Sequence, residues 1–285
     1  MPGREAAALI GAASERLARA GVASARLDAE LLMAAAAGVS RETIITGSAR
    51  IGATALGRFE RMTARREARE PLAYIVGTRE FFSLEFAVRP GVLIPRPETE
   101  TLVEAALDFL RARPSATVLD IGTGSGAIAI AIAKNAPAAR IVALDISKVS
   151  LEVAVENARC HGCADRITFV QGDCFAALDR AQPLFDLIVS NPPYIAEGEL
   201  ATLAPEVRDF EPRIALEGGR DGMEFYRKIA DGLAQWLSRG GEVILEVGAG
   251  QARAVEAMCG TSYATSVRVR DLAGIERVVR SRRGL

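Results

Sequence analysis

From Thr117 onward, apolar runs of strand length alternate with helical stretches, and this alternation limits the fold more than any other feature of the chain. Strands are expected at residues 117–120, 140–145, 167–171, 187–190, 242–247 and 266–270, with helices between them such as 127–134 and 150–160. Such a chain folds as an α/β domain. Its sheet is mainly parallel, because parallel neighbours need a crossover connection, and helices cover both faces. In such sheets ligands sit beyond the carboxyl ends of the strands. The residues that follow each strand are therefore where chemistry is expected.

The first strand runs into Asp120-Ile121-Gly122-Thr123-Gly124-Ser125-Gly126-Ala127. Alternate glycines let the backbone turn tightly and approach a ligand closely. The free N–H groups of the helix that starts there attract an anion. Gly122, Gly124 and Ala127 satisfy the G-x-G-x-x-G/A dinucleotide pattern, and Asp145 ends the second strand 23 residues after Gly122, where a carboxylate can accept both hydroxyls of a ribose. The ligand is thus a nucleoside-containing cofactor. A pyrophosphate would meet the carboxylate of Asp120 at the strand end, which is repulsive. S-adenosylmethionine has no phosphate and carries cationic groups that suit the acid, while its carboxylate suits the loop amides. A G-x-x-x-x-G-K-[ST] phosphate loop is absent. S-adenosylmethionine is favoured over NAD, held by Asp120, Gly122, Thr123, Gly124, Ser125, Gly126 and Asp145. After the third strand comes Gly172-Asp173-Cys174-Phe175. Asp173 can accept from an adenine amino group with Cys174 or Phe175 near the ring; a plain turn with Phe175 in the core is an equal alternative.

The fourth strand ends in Asn191-Pro192-Pro193-Tyr194. Asn-Pro alone is a common turn. Here it lies where a substrate is expected. Two prolines remove two backbone donors and fix φ twice, leaving a rigid set of acceptors in the Asn191 side-chain oxygen and the Pro192 carbonyl. Tyr194 adds a flat face. Asn191, Pro192, Pro193 and Tyr194 are the expected substrate site, with Asn191, Pro192 and Tyr194 as its catalytic members. Such a site suits a planar –NH₂ whose lone pair is delocalised. Two acceptors that take both N–H hydrogens turn the lone pair toward an incoming methyl and stabilise the positive charge that develops on nitrogen. No strong base is needed before attack, so the lack of a histidine there is no objection.

The remainder of the chain supports this site rather than competing with it. Residues 1–75 are expected to form a helical domain. Leu9, Ile10, Ala13 and Leu17 share a helix face, as do Leu27, Leu31, Leu32 and Ala35 in a helix over 25–37 that Gly38 closes. A longer helix spans 53–70, stopped by Pro71, and its alternating charges from Arg61 to Glu70 are expected to be a solvated face. A β-hairpin is expected over 80–100, with Pro90-Gly91 at a turn and Val92-Leu93-Ile94 as an apolar run. The expected division is a helical docking domain (1–75), a hairpin linker (76–100) and a cofactor domain (101–285). Lys plus Arg (35) balances Asp plus Glu (36), which excludes a generally basic nucleic-acid coat protein. Cys160-His161-Gly162-Cys163 lacks the second ligand pair of a zinc site and reads as a turn, so no metal is expected. No apolar run approaches the ~18 residues that span a membrane, and the N-terminus reads as an amphipathic helix rather than a signal peptide, so a cytoplasmic protein is expected.

Asp120–Gly126, Asp145 and Asn191–Tyr194 together resemble a class I amino-methyltransferase. Further segments narrow this: Pro71-Leu72-Ala73-Tyr74-Ile75-Val76-Gly77, Glu80-Phe81-Phe82, Leu93-Ile94-Pro95-Arg96-Pro97-Glu98-Thr99-Glu100, Glu211-Pro212-Arg213 and Asp271-Leu272-Ala273-Gly274 resemble the HemK/PrmC family. The resemblance spans nearly the whole chain, from about Glu5 to Val279. It implies an enzyme that methylates the side-chain amide of the glutamine in the Gly-Gly-Gln loop of class I peptide-chain release factors, with S-adenosylmethionine as donor. It also implies that Cys174, the residue after Asp173, and Asn191 help hold the cofactor, and that the helical domain helps dock the release factor. Family members often have a large aromatic at the position of Cys174, so adenine packing is expected to rely on Phe175. Three rivals remain: a glutamine methyltransferase of a ribosomal protein, an adenine-N6 nucleic-acid methyltransferase, and a non-catalytic release-factor or ribosome-binding module. The near-neutral charge speaks against a direct nucleic-acid substrate.

Overall fold

The computed structural model describes residues 3–48, 50–179, 181, 184–260 and 263–285. The chain divides into two units: one runs to Thr78 and takes in Ala204–Phe210, and the other comprises Arg79–Leu203 and Glu211–Leu285.

The first unit is helical, with α1 (Gly3–Arg19), α2 (Ala25–Ala37), α3 (Arg41–Ile45), α4 (Ala53–Glu67) and α5 (Leu72–Val76). Ala6, Ile10, Ala13 and Leu17 of α1 pack with Ala29, Leu32, Met33 and Ala36 of α2 and Phe59 of α4. Ile10, Ala13 and Leu17 are buried as expected, with Ala6 in place of Leu9 (40% exposed); the α2 stripe is rotated from the expected face, with Leu27 43% exposed and Leu31 and Ala35 only partly buried. Gly38 closes α2 in the left-handed conformation, as its position predicts.

The expected helix to residue 70 ends early. Arg69 adopts φ +67, and the N–H of Glu70 reaches back to Arg65 O at 3.2 Å, closing α4 before Pro71. Nor is the charged run of α4 only a solvated face. Arg66 is buried, and its Nε donates to Asp28 Oδ2 at 2.7 Å. Arg66 and Arg69 both donate to Glu206, at 2.9 Å for Arg66 and 2.6–2.8 Å for Arg69. Glu206 lies on a short helix, Pro205–Arg208, far away in sequence, and charge periodicity does not register so distant a partner. Ala204–Phe210, expected within the cofactor domain, is thus tied into the helical unit.

In the second unit a hairpin, β1 (Thr78–Phe81) and β2 (Leu84–Ala87), precedes α6 (Glu100–Ala112). Its turn is at Phe82-Ser83, both with positive φ (+51 and +58), and not at Pro90-Gly91; residues 92–94 form no strand. Two left-handed residues match the twist of the flanking strands, and the Glu100 carboxylate accepts from Phe82 N at 2.9 Å. Phe81 and Phe86 are buried in the core of this unit, so the hairpin is part of the domain rather than a linker.

The sheet follows: β3 (Thr117–Ile121), α7 (Ala127–Asn135), β4 (Arg140–Asp145), α8 (Lys148–Cys160), β5 (Ile167–Gln171), β6 (Phe185–Ser190), α9 (Pro205–Arg208), α10 (Glu224–Trp236), β7 (Leu237–Glu246), α11 (Ala252–Cys259), β8 (Tyr263–Arg270) and β9 (Glu276–Arg283). Its seven strands are ordered β5-β4-β3-β6-β7-β9-β8. The first five are parallel, and β9 inserts antiparallel between β7 and β8. Strand β9 escapes sequence reading because its segment, Glu-Arg-Val-Val-Arg-Ser-Arg-Arg, is mostly charged. Its Arg280 is neutralised by Glu242 on β7, at 2.6 Å.

Alternate residues of the strands serve opposite faces. Val118, Ile141, Ala143, Leu187, Val189 and Ile244 join α6 and α7 in one core. Leu119, Ile121, Leu144, Ile188, Val243 and Leu245 join α10 and α11 in the other. Strand order reverses between β3 and β6. The carboxyl ends of these two strands therefore open a crevice, and the loops expected to carry chemistry line it.

Candidate active site

The cavity at this switch point is lined by Gly122, Thr123, Gly124 and Ser125 after β3, Asp145 and Ile146 after β4, Asp173 and Cys174 after β5, and Asn191, Pro192 and Pro193 after β6. Four strand ends thus converge on one opening, as the alternation predicts.

The loop after β3 is held from three sides. The N–H groups of Gly122 and Thr123 donate to Leu144 O at 2.9 Å. Asn157 on α8 donates to Ser125 O at 2.9 Å. The Asp145 carboxylate accepts from Gly124 N (Oδ2) and Ser147 N (Oδ1), both at 2.8 Å. Gly126 permits φ +82, and a Cβ there would lie 2.9 Å from Ile130 Cδ1 and 3.1 Å from Ala154 Cβ, so this glycine lets the loop turn against α7 and α8. It does not line the cavity, which corrects its expected place among the residues that touch the cofactor.

Asp120 is also behind the wall. It is wholly buried, and its Oδ2 accepts from Thr123 Oγ1 at 2.7 Å while Oδ1 has no partner among the described residues. Burial pushes its carboxyl up to about 7. Its contact with a cofactor is therefore corrected to support from beneath, through Thr123.

These residues fit S-adenosylmethionine. A carboxylate offers about four lone-pair positions, and Asp145 has committed two to the backbone, leaving one on each oxygen for a pair of ribose hydroxyls. Ile146, 48% exposed, and Phe225 supply apolar cavity wall for a planar base. The unpartnered Asp120 oxygen under the loop favours a cationic ligand group above it.

Cys174 lies on the wall, buried, with φ +51. Asp173 also lines the cavity, but its Oδ2 is in an exposed ion pair with Lys228, so it is already engaged. Phe175 does not pack beside a cofactor. Its ring stacks on Trp236 at 6.3 Å between centroids and 4° between planes, so the core alternative holds and the expected reliance on Phe175 is corrected. Two aromatics line the cavity among the described residues, Phe81 of β1 and Phe225, whose place between Glu224 and Tyr226 on α10 gave no motif to read.

At the end of β6, Asn191 Nδ2 donates to Thr99 Oγ1 at 3.1 Å. The Thr99 hydroxyl lies against the Glu246 carboxyl and favours its ionised form, and both residues are buried. Pro192 is buried and Pro193 half-buried. Tyr194 does not line the cavity: its carbonyl accepts from Gln251 Nε2 at 2.9 Å, and its ring packs close to Gly248. Burial, with Glu246 nearby, pushes its hydroxyl up to about 12. Tyr194 is thus a half-buried, neutral phenol next to the Asn-Pro-Pro turn, outside the cavity lining. Arg96, on the cavity wall, pairs with the buried Glu211, whose other oxygen accepts from Ile94 N at 3.2 Å. Thr99, Arg96 and Glu211 lie in segments that the sequence marked without giving them a role. Glu246 had a readable signal, a lone acid in the apolar run Val243-Ile244-Leu245-Glu246-Val247.

Residues 8–77 match the family described as "PrmC N-terminal domain", and residues 112–219 match "Methyltransferase domain". The release factor glutamine methyltransferase of Geobacter sulfurreducens is 45% identical over 270 residues, covering 94% of this chain and 93% of its own length. That of Cereibacter sphaeroides is 45% identical over 280 residues, covering 97% and 98%. Among solved structures, a methyltransferase from Pyrococcus furiosus superposes with a TM-score of 0.53 at 18% identity, covering 79% of this chain and 100% of its own, and so shares the fold.

Proposed function

The chain belongs to the family of release factor glutamine methyltransferases, and we infer that it methylates the side-chain amide nitrogen of the glutamine in the Gly-Gly-Gln motif of class I release factors. The carrying observation is that Asn191 spends its N–H on Thr99. This leaves Oδ1, which has no hydrogen-bond partner among the described residues, as an acceptor beside Pro192, and both residues line the cavity.

S-adenosylmethionine, when bound, supplies a methyl group activated by a sulfonium. Asp145 would hold the ribose, and the loop Gly122–Ser125, braced by Thr123 on Asp120, would hold the amino-acid portion. Ile146, Cys174 and Phe225 enclose the base. Asn191 Oδ1 and the Pro192 carbonyl accept the two N–H hydrogens of the substrate amide. They fix the nitrogen in line for attack and stabilise the charge it gains. The proton that the nitrogen sheds after transfer passes to water, so no base has to act on the amide before attack. The helical unit docks the release factor, and no nucleic acid is methylated directly. No helix among the described residues is long and apolar enough to cross a membrane; the cytoplasm, where release factors act, is the proposed location.

Incubation with labelled S-adenosylmethionine and, separately, a class I release factor, ribosomal proteins, and DNA or RNA tests this reading. Label in the release factor alone is expected. Label in the ribosomal proteins or nucleic acid alone would overturn it.

A further inference from the structure

A buried acid stands behind Thr99. Glu246 ends β7, is 2% exposed, and leaves Oε2 without a partner among the described residues. Its other connection is the Thr99 hydroxyl, which in turn accepts from Asn191 Nδ2. We propose that Thr99 and Glu246 are positioning residues that fix which end of the Asn191 carboxamide meets the substrate, an inference that rests on the amide-methylating reading above.

The number of hydrogens available decides the orientation. An ionised carboxylate only accepts. Thr99 has a single hydroxyl hydrogen, and against Glu246 it must donate it. Its oxygen then has only lone pairs left for Asn191, which must present Nδ2. With Nδ2 turned inward, Oδ1 faces the cavity, the one orientation that can accept an N–H from a substrate amide. The Asn191 side chain alone has no such preference, since both ends of a carboxamide have nearly the same shape.

The relay depends on the charge of Glu246. Protonated, Glu246 gains a hydrogen it can donate to Thr99. Thr99 is then free to donate to Asn191 Oδ1 and turn Nδ2 toward the substrate, donor against donor. Burial pushes Glu246 up to about 7. Arg277 on β9 and Arg96 favour its ionised form, and Glu98 opposes it. Tyr194 and Tyr226 face it as neutral phenols, and Tyr226 spends its hydroxyl hydrogen on the Glu246 backbone carbonyl at 2.9 Å.

The test is the single-turnover rate on a class I release factor at saturating S-adenosylmethionine, followed across pH. Saturation confines the titration of Asp120, under the cofactor loop, to binding. Thr99→Val keeps shape and removes the relay; it should lower the rate about 10–100-fold, the scale of a misplaced catalytic group, with cofactor affinity little changed. Thr99→Ser keeps the hydroxyl and should restore most of the rate. The wild-type rate should fall about tenfold per pH unit below the titration of Glu246. Glu246→Gln keeps an acceptor oxygen but no titrating proton, so its rate should be lower and flat with pH. A wild-type rate in Thr99→Val, or an unaltered pH profile in Glu246→Gln, would overturn the relay. A release factor left unmethylated by the wild-type enzyme would instead overturn the substrate assignment beneath it.

Discussion

Replacing Asp145 probes two functions of one carboxylate. In the free protein it accepts from Gly124 N and Ser147 N at 2.8 Å, tying the glycine loop to the start of α8. A hydrogen bond to a charged group contributes roughly 1.5–3 kcal/mol. Gly124 is half-exposed, so water replaces part of what Asp145→Ala removes there. A stability loss of about 2–4 kcal/mol is expected, read by thermal or denaturant unfolding. With cofactor, the variant also loses its acceptor for the ribose hydroxyls. That should cost roughly 1.5–3 kcal/mol, or about ten- to a hundredfold in affinity by calorimetry. Asp145→Asn separates the two roles. It keeps one acceptor oxygen for one loop N–H and sets its own –NH₂ against the other, so its stability should lie between wild type and alanine. Burial raises the Asp145 carboxyl above the ordinary range although the N–H groups of Ser147 and Gly124 act against it. Wild-type affinity should therefore weaken as pH falls, before an exposed aspartate would titrate. A folded Asp145→Ala with unchanged affinity would remove Asp145 from the cofactor site.

Asn191→Ala should lower single-turnover methylation about 10²–10³-fold with modest change in cofactor affinity; Asn191→Asp should also be a poor enzyme, since it loses the N–H donated to Thr99 and adds a negative charge near the sulfonium, and near-normal turnover in the alanine variant would reduce Asn191-Pro192-Pro193-Tyr194 to a turn. Asp120 is raised from 3.8 to about 7, so between those values the folded protein binds more protons than the unfolded chain and stability falls as pH rises. Asp120→Asn should flatten that part of the curve and stabilise the cofactor-free protein above neutrality by on the order of 2–4 kcal/mol; equal slopes in both proteins would contradict this. For Glu206, burial opposes ionisation, but hydrogen bonds from Arg69 and Arg66 hold its carboxyl down to about 2. The stability it contributes is present above about 4.5 and lost as pH falls toward 2, so Glu206→Gln should cost about 2–3 kcal/mol at neutral pH and remove that acid sensitivity, and an unchanged unfolding midpoint would contradict a stabilising role for these ion pairs.

The parts legible in the sequence are those whose signal is local. The parallel strands, the loop after β3, Asp145 and the Asn-Pro-Pro turn each follow from a periodicity or a short motif, and strand ends then bring them together. What was missed depends on partners distant in the chain. Strand β9 is charged because Glu242 and Asp108 neutralise its Arg280. Arg66 is buried because Asp28 and Glu206 meet it. The hairpin turns at Phe82-Ser83 without glycine, where Glu100 supports the backbone. Phe175 was misplaced because a strand end fixes a residue's neighbourhood but not which way its ring points. Removing residues 1–75 to test docking, a natural plan from sequence, would also strip Glu206 of Arg66 and Arg69. Docking is better tested by surface substitutions in the helical unit that leave those arginines in place.

The most direct measurement locates the methyl group within the release factor. After incubation with S-adenosylmethionine, the factor is digested, and its peptides are fragmented in a mass spectrometer. The expected result is one methyl group on the glutamine side chain of the Gly-Gly-Gln peptide, absent from a factor with that glutamine replaced and greatly reduced with Asn191→Ala enzyme. A methyl group on any other residue, or an unmodified Gly-Gly-Gln peptide beside a methylated ribosomal protein or nucleic acid, would contradict the assignment.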